Sequence, residues 1–201
     1  MTPDFYNTIE RTSIAEFKDR GSRFIAYAYP IDTIAAFKEK LAALKKEHLK
    51  AVHHCFAYRI GIDGTNFRSN DDGEPSGSAG RPILGQIDSK ELANTLIIVV
   101  RYFGGTLLGV PGLINAYKTA AAMALENTAI ITKPVLIHYR LEFDYTLMNE
   151  VMRLIKQFDC VISKQEMQLF CSLQIGIPKK NLEEVVSKFK ELRGSVIEKL
   201  E

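Results

Sequence analysis

Residues 69–80 read Ser-Asn-Asp-Asp-Gly-Glu-Pro-Ser-Gly-Ser-Ala-Gly, and this stretch decides how the first part of the chain divides into elements. It is polar and glycine-rich, and it shows neither the two-residue period of a strand nor the 3.6-residue period of a helix. A segment of this kind cannot bury enough apolar surface to join a core. We therefore predict a loop over residues 69–80.

The residues on both sides of this loop have the patterns of packed elements. Before it, residues 52–60 alternate between two faces, one more apolar than the other, which is typical of a strand. The turn at residues 61–64 leads into a return strand over residues 65–68. After the loop, we predict a short helix over residues 81–87 and a central strand over residues 95–100, the most apolar segment of the chain.

A second glycine-rich loop, residues 104–112, follows the central strand and precedes a helix predicted over residues 113–127. Upstream, residues 23–29 have the composition of a strand, and Asp32 is placed to cap the helix that follows. Strands and helices therefore mix along the chain, and the fold class is α+β.

A second set of elements follows Thr132-Lys133-Pro134, which is typical of a linker. Its predicted elements are a strand, a helix, two strands, a helix and a strand, over residues 135–143, 147–158, 160–166, 169–177, 182–192 and 195–200. The order βαββαβ is that of a ferredoxin-like domain. We therefore predict two domains, residues 1–133 and residues 134–201.

The composition is that of a globular protein: 46% of the 201 residues are hydrophobic, 25% are charged and the net charge is +2. This small charge gives no general signal for nucleic-acid binding. The start of the chain lacks the pattern of a leader peptide, and no run approaches the roughly 18 apolar residues of a membrane span. The cysteines, at positions 55, 160 and 171, form no CxxC pair. We therefore expect a cytoplasmic protein without membrane association, disulfides, metal or cofactor.

Two segments carry a recognisable pattern: residues 53–59 together with residues 71–84, and Arg101-Tyr102-Phe103-Gly104-Gly105 continued through Gly109 to Gly112-Leu113. These segments resemble the IMPACT/YigZ family. The resemblance extends over most of residues 20–124, and the tail is similar to the smaller C-terminal domain of the bacterial members.

The resemblance implies a left-handed βαβ fold for the first domain. This fold is also found in a ribosomal protein domain, in domain IV of elongation factor G and in GHMP kinases. It further implies that the C-terminal ferredoxin-like βαββαβ domain is similar to the ferredoxin-like domains of that elongation factor. Eukaryotic relatives are linked to translational control through the activator of a kinase that acts on an initiation factor, so the resemblance implies a role associated with translation.

The second loop departs from the family pattern Gly-Gly-x-Lys-Leu-Gly-x-Gly-Gly-Leu-x-Arg-Ala-Tyr at three positions. Leu107 stands for the lysine, Pro111 for a glycine and Asn115 for the arginine. Two cations are therefore missing, which weakens the expectation that this loop contacts phosphate or nucleic acid.

Each candidate feature has a functional and a structural interpretation. Both glycine loops precede helices, so their backbone N–H groups can bind an anion; the glycines can equally serve tight turns. His53, Cys55 and Arg59 share a strand face that Arg101 can join, and a face without helices would expose them to RNA or a ligand. His54 is better explained as a hydrogen-bonded core histidine.

The acidic and nucleophilic side chains allow further alternatives. Asp71, Asp72 and Glu74 can hold a divalent cation, although they lack EF-hand spacing, or they can simply be solvated. A nucleophilic pair drawn from His53, Cys55 and Ser76 lacks a supporting local signature.

We predict no catalytic residue and no metal ligand. The predicted ligand-binding surface combines the two loops with nearby charged side chains: His53, Arg59, Asp71, Asp72, Glu74, Ser76, Gly77, Ser78, Gly80, Arg81, Arg101, Gly104, Gly105, Gly109, Gly112 and Lys118. Two functions are compatible with it. The first is a non-enzymatic translation-associated binding protein that contacts RNA or a ribosome-associated partner. The alternative is a phosphate-ligand-binding protein or enzyme that uses both loops.

Overall fold

A computed structural model describes residues 3–168 and 170–200. These residues form two compact units: residues 6–133, and residues 134–200 together with residues 3–5. The mixed α+β class predicted from the sequence is confirmed. Leu169, the predicted first residue of a strand, lies outside the described residues.

The elements of the first unit are, in chain order, β1 (Phe5–Ile9), β2 (Ser13–Asp19), β3 (Ser22–Pro30), α1 (Ile34–Glu47), β4 (His53–Ile60), β5 (Asn66–Asn70), α2 (Gly80–Ser89), β6 (Thr95–Tyr102), α3 (Gly109–Glu126) and β7 (Ile130–Pro134). A five-stranded sheet has the order β2-β3-β6-β4-β5, with every neighbouring pair antiparallel. β1 and β7 form a separate two-stranded sheet.

Helices cover both faces of the five-stranded sheet. Alternation along β4 places Cys55 on one face, where it belongs to a core with Ile83 of α2 and Tyr117 of α3. Phe56 lies on the other face, in a second core with Phe37 of α1. The expectation of a helix-free face for RNA or a ligand was therefore wrong, because α1 lies on one side of the sheet and α2 and α3 lie on the other.

Several predicted boundaries shift in the structure. β5 extends to Asn70, which shortens the first loop to residues 71–79, and α3 begins at Gly109 rather than at residue 113. The α1 helix is capped by Thr33, whose hydroxyl accepts the N–H of Ala36 at 3.2 Å, and not by Asp32. The predicted linker at residues 132–134 is part of β7, which pairs with a strand, β1, that the sequence did not reveal.

The second unit contains β8 (Leu136–Asp144), α4 (Met148–Gln157), β9 (Val161–Glu166), β10 (Phe170–Pro178), α5 (Leu182–Glu191) and β11 (Ser195–Lys199). The sheet order is β11-β8-β10-β9, with antiparallel neighbours. Leu141 and Leu173 face a core that includes Val151 of α4 and Phe189 of α5. No helix within the described ranges is long and apolar enough to cross a membrane.

We propose that the two units fold independently, because each has a hydrophobic core of its own. A fragment of residues 1–133 should unfold in a single cooperative thermal transition, followed by circular dichroism. A fragment that unfolds without cooperativity, while the full chain unfolds cooperatively, would contradict independent folding.

Candidate functional site

The two glycine-rich loops lie at the same end of the five-stranded sheet. β5 and β6 both run antiparallel to β4, which lies between them, so their carboxyl ends point the same way. β4 begins at this end, where His53 pairs with Arg101. We call residues 71–79, after β5, the acidic loop, and residues 103–108, after β6, the second loop.

The carboxylate of Asp71 occupies the anion-binding position of the acidic loop. It accepts the backbone N–H groups of Gly77 at 2.8 Å, Ala79 at 3.0 Å and Gly80 at 2.8 Å, at the start of α2. Burial acts to raise the pKa of Asp71, but these N–H donors and Arg81 outweigh it, so the pKa lies below its usual value. The amides that we predicted for an external anion are therefore bound by the chain itself.

Glu74 fastens the acidic loop to the sheet and to α3. Its carboxylate Oε1 accepts a hydrogen bond from Arg101 Nη1 at 2.6 Å and another from the Tyr117 hydroxyl at 2.7 Å. The side chains of Glu74 and Arg101 are only 3% and 7% exposed. The guanidinium also lies 5.4 Å from the ring centroid of Phe24. The expectation that Arg101 meets a ligand at the surface was wrong, because a buried carboxylate pairs with it.

Asp72 and Gly73 wrap the acidic loop around the start of β4. Asp72 Oδ2 accepts the backbone N–H of His54 at 2.6 Å, and the Asp72 carbonyl accepts a hydrogen bond from His53 Nδ1 at 2.7 Å. Gly73 has a φ of +91°, and a Cβ there would lie 3.4 Å from the imidazole of His53. Glycine is therefore favoured at this position by both its backbone conformation and its contact with the ring.

Cys55 and Tyr117 are buried behind the acidic loop. The sulfur of Cys55 lies 3.0 Å from the Asp71 carbonyl and 3.3 Å from the Tyr117 hydroxyl. Burial is the main cause that raises the pKa of both groups. A neutral, buried thiol is a poor nucleophile, so this geometry disfavours the pair of His53 and Cys55 considered from the sequence.

The acidic side chains of this loop accept hydrogen bonds from groups of the chain itself. Within the described residues, no group of three or more His, Cys, Asp or Glu side chains is arranged to hold a metal ion. Ser78 is buried, and its hydroxyl donates to the Pro75 carbonyl at 2.6 Å, whereas Ser76 and Arg81 are exposed. What the acidic loop presents to solvent is therefore mainly Gly73, Pro75 and Ser76.

Arg59 does not join the site. It pairs with Thr95 at the opposite end of the sheet, where its guanidinium binds Asp88 and donates to the Gly64 carbonyl at 3.1 Å. Lys118 is exposed on α3, about 13 Å along the helix axis from Gly109 at 1.5 Å per residue. The expectation that Arg59 supplies charge to the loops was therefore wrong.

The second loop is more exposed to solvent than the acidic loop. Gly104 packs against the β2–β3 turn so tightly that a Cβ would lie 1.9 Å from the carbonyl carbon of Gly21. Residues 103–107 are exposed, as are Gly109 and the two residues that follow it, whereas Gly112 is half-buried. Gly105 and Gly109 have φ values of +87° and +70°. The α3 helix has no side-chain cap and no acidic residue in its first turn.

Sequence reasoning missed Tyr117, which joins Glu74 and Cys55. The available signal was its position among Leu113, Ala116 and Ala120 on the buried face of α3. A hydroxyl on such a face needs a hydrogen-bond partner.

The fold and this site define a two-unit α+β protein with a locked polar loop beside an open, glycine-rich surface. The Impact N-terminal domain matches residues 20–125. The IMPACT family member YigZ of Escherichia coli is 34% identical over 188 residues, which cover 92% of this chain and 91% of that protein. The chain belongs to the IMPACT family.

Two further comparisons concern a eukaryotic protein and a solved structure. Protein IMPACT of Rattus norvegicus is 37% identical over 100 residues, which cover 47% of this chain and 31% of that protein. A solved structure described as the crystal structure of a hypothetical protein has a TM-score of 0.76 and 28% identity, with 99% of this chain and 98% of that chain covered. The fold of that structure is therefore similar to that of this chain over 99% of its length.

Removing only one partner of the buried pair of Glu74 and Arg101 should destabilise the protein strongly. Arg101→Met leaves a buried carboxylate without its cation and should lower the free energy of unfolding by about 3–5 kcal/mol. The double variant Glu74→Gln/Arg101→Met should cost less than the sum of the single changes. Urea unfolding at neutral pH measures the free energy of unfolding of Arg101→Met, Glu74→Gln and the double variant.

Arg81→Ala is the matched control, because Arg81 is exposed at the same end of the sheet. It should change the free energy of unfolding by no more than about 0.5 kcal/mol. Equal costs for Arg101→Met and Arg81→Ala would show that the buried pair does not hold the loop.

Proposed function

We propose that this protein is a non-enzymatic, cytoplasmic binding protein of the translation machinery, which contacts a ribosome-associated partner through the second loop. Membership of the IMPACT family supports the link to translation, because the resemblance connects the eukaryotic members with translational control. The first unit is proposed to have the left-handed βαβ fold of elongation factor G domain IV, and the second to be ferredoxin-like. The strand order β11-β8-β10-β9 supports the second assignment.

One observation carries the non-enzymatic interpretation: the reactive groups of the site are consumed by the fold. Asp71 binds three backbone amides, Glu74 binds Arg101 and Tyr117, and Cys55 is a buried neutral thiol. A general base or nucleophile has to reach a substrate atom, and none of these three groups is free to do so. These contacts support the proposal that the site acts as a shaped surface for binding.

Direct RNA binding has less support than contact with a protein. Both sheet faces are covered, Arg101 is neutralised by Glu74, and Leu107 and Asn115 stand where relatives carry cations. Affinity for nucleic acid comes largely from several Lys or Arg contacts to phosphates. The second loop lacks such a set.

The alternative function, phosphate-ligand binding, is supported by one feature. The first turn of α3 is glycine-rich, exposed and without an acidic residue, so its N–H groups can face an anion. This alternative predicts that phosphate-containing ligands stabilise the protein by mass action.

Ribosome co-sedimentation tests the proposed function. The full chain, added to a translating lysate of its own host, should pellet with ribosomes or their bound factors through a sucrose cushion. A protein-mediated contact should keep most of this retention between about 0.05 M and 0.2 M salt, whereas a contact through six or more phosphates should lose about 10³-fold or more in affinity.

Thermal unfolding with ATP, inorganic phosphate or sugar phosphates is the companion measurement. The proposal predicts no change in the melting temperature. Failure to pellet at every salt concentration, together with a melting temperature raised by one of these ligands, would replace the proposed function by the alternative.

A further inference from the structure

The second loop and the start of α3 expose a row of apolar side chains. Phe103, Leu107, Val110 and Ile114 are 48%, 82%, 46% and 39% exposed, and we call these four residues the apolar strip. The whole segment from residue 102 to residue 117 contains no charged side chain. Scattered exposed apolar residues are ordinary, but a contiguous group of them on a surface marks a binding site.

The strip runs from the second loop onto the start of α3. Val110 and Ile114 are four residues apart in α3, the spacing that aligns side chains along a helix, and Leu107 precedes the helix in the second loop. Further along α3, small buried residues pack in the core of the first unit: Ala116, Ala120, Ala121 and Ala124. The core of the first unit therefore does not need the strip, and selection for packing does not explain it.

Positive charge lies at both ends of the strip. Lys118 continues the same helix face four residues after Ile114. Arg20, at the β2–β3 turn, precedes Gly21, whose backbone contacts Gly104 of the second loop. Neither Arg20 nor Lys118 has an ion-pair partner among the described residues.

The helix itself adds to this field. α3 has no side-chain cap and no acidic residue in its first turn, so the partial positive charge of its N-terminus is uncompensated. Asp19 flanks Arg20 and offsets part of the charge. Arg20, Lys118 and the helix terminus together still favour a ligand that carries carboxylates.

We propose that the apolar strip docks an amphipathic segment of a partner protein, with apolar side chains on one face and Asp or Glu residues beside them. This inference rests on the proposed function and names the surface and the chemistry of the partner. A helix laid along Leu107, Val110 and Ile114 would bury their exposed apolar area. Its carboxylates would meet Arg20, Lys118 and the N-terminus of α3.

The probe is a displayed library of random peptides of about 15 residues, near the length at which an isolated helix becomes marginally stable. Selection uses the immobilised full chain, with counter-selection on Leu107→Glu/Ile114→Glu. The selected peptides should combine apolar residues at helical spacing with Asp or Glu. The double variant should weaken their binding at least about tenfold in fluorescence anisotropy, because each new carboxylate repels the acidic peptide.

Leu49→Glu/Ile130→Glu is the matched control, since Leu49 is as exposed as Leu107 and Ile130 is 43% exposed. It adds the same charge elsewhere on the first unit and should change peptide affinity by no more than about twofold. Circular dichroism melting curves of both double variants establish that they are folded.

Other outcomes overturn the inference. Selected peptides that are basic, no enrichment at all, or equal binding to both double variants would each exclude acidic docking at the strip. Poly(U) RNA that displaces the peptides and loses affinity on Leu107→Glu/Ile114→Glu would make the strip an RNA surface instead.

Co-sedimentation separates this inference from the proposed function. If the full chain pellets with ribosomes but Leu107→Glu/Ile114→Glu pellets equally well, the strip is not the contact and the proposed function stands. If peptides bind the strip but the full chain never pellets, the strip is a docking surface and the proposed function is wrong.

Discussion

The hydrogen-bonded ion pair between Glu74 and Arg101 is the interaction on which the functional end of the first unit depends. Both side chains are almost fully buried, so each charge needs the other to offset the cost of leaving water. The carboxylate also accepts the Tyr117 hydroxyl, which brings the acidic loop, β6 and α3 to a single oxygen atom. With Glu74 held there, the neighbouring Asp71 and Asp72 are placed on backbone N–H groups at the starts of α2 and β4.

This arrangement shifts the functional interpretation from one loop to the other. The acidic loop has the composition of a ligand site, but its carboxylates satisfy the chain's own donors and its glycines allow the turns that this requires. The second loop exposes apolar side chains. A polar loop held by its own hydrogen bonds, beside an exposed apolar loop, is suited to support a docking surface.

Much of the fold could be predicted from the sequence. Residues alternate between two faces along β4, and apolar residues recur at helical spacing in α1, α4 and α5, because one side of each helix is buried. β1 and β7 were missed because each is short and they pair with each other from far apart along the chain. The start of α3 was placed too late, since Gly109 and Pro111 suggest a loop although proline is tolerated in the first turn of a helix. The burial of Arg101 could not be predicted, because its partner lies 27 residues away and only the fold brings them together.

Amide hydrogen exchange tests the central claim, that the acidic loop is closed by its own carboxylates and the second loop is open. The N–H groups of Gly77, Ala79 and Gly80 should exchange at least about tenfold more slowly than those of Gly105, Thr106 and Leu107, and Asp71→Asn should remove most of that difference. Equal exchange in the two loops of the unsubstituted protein, or protection that survives Asp71→Asn unchanged, would contradict the account.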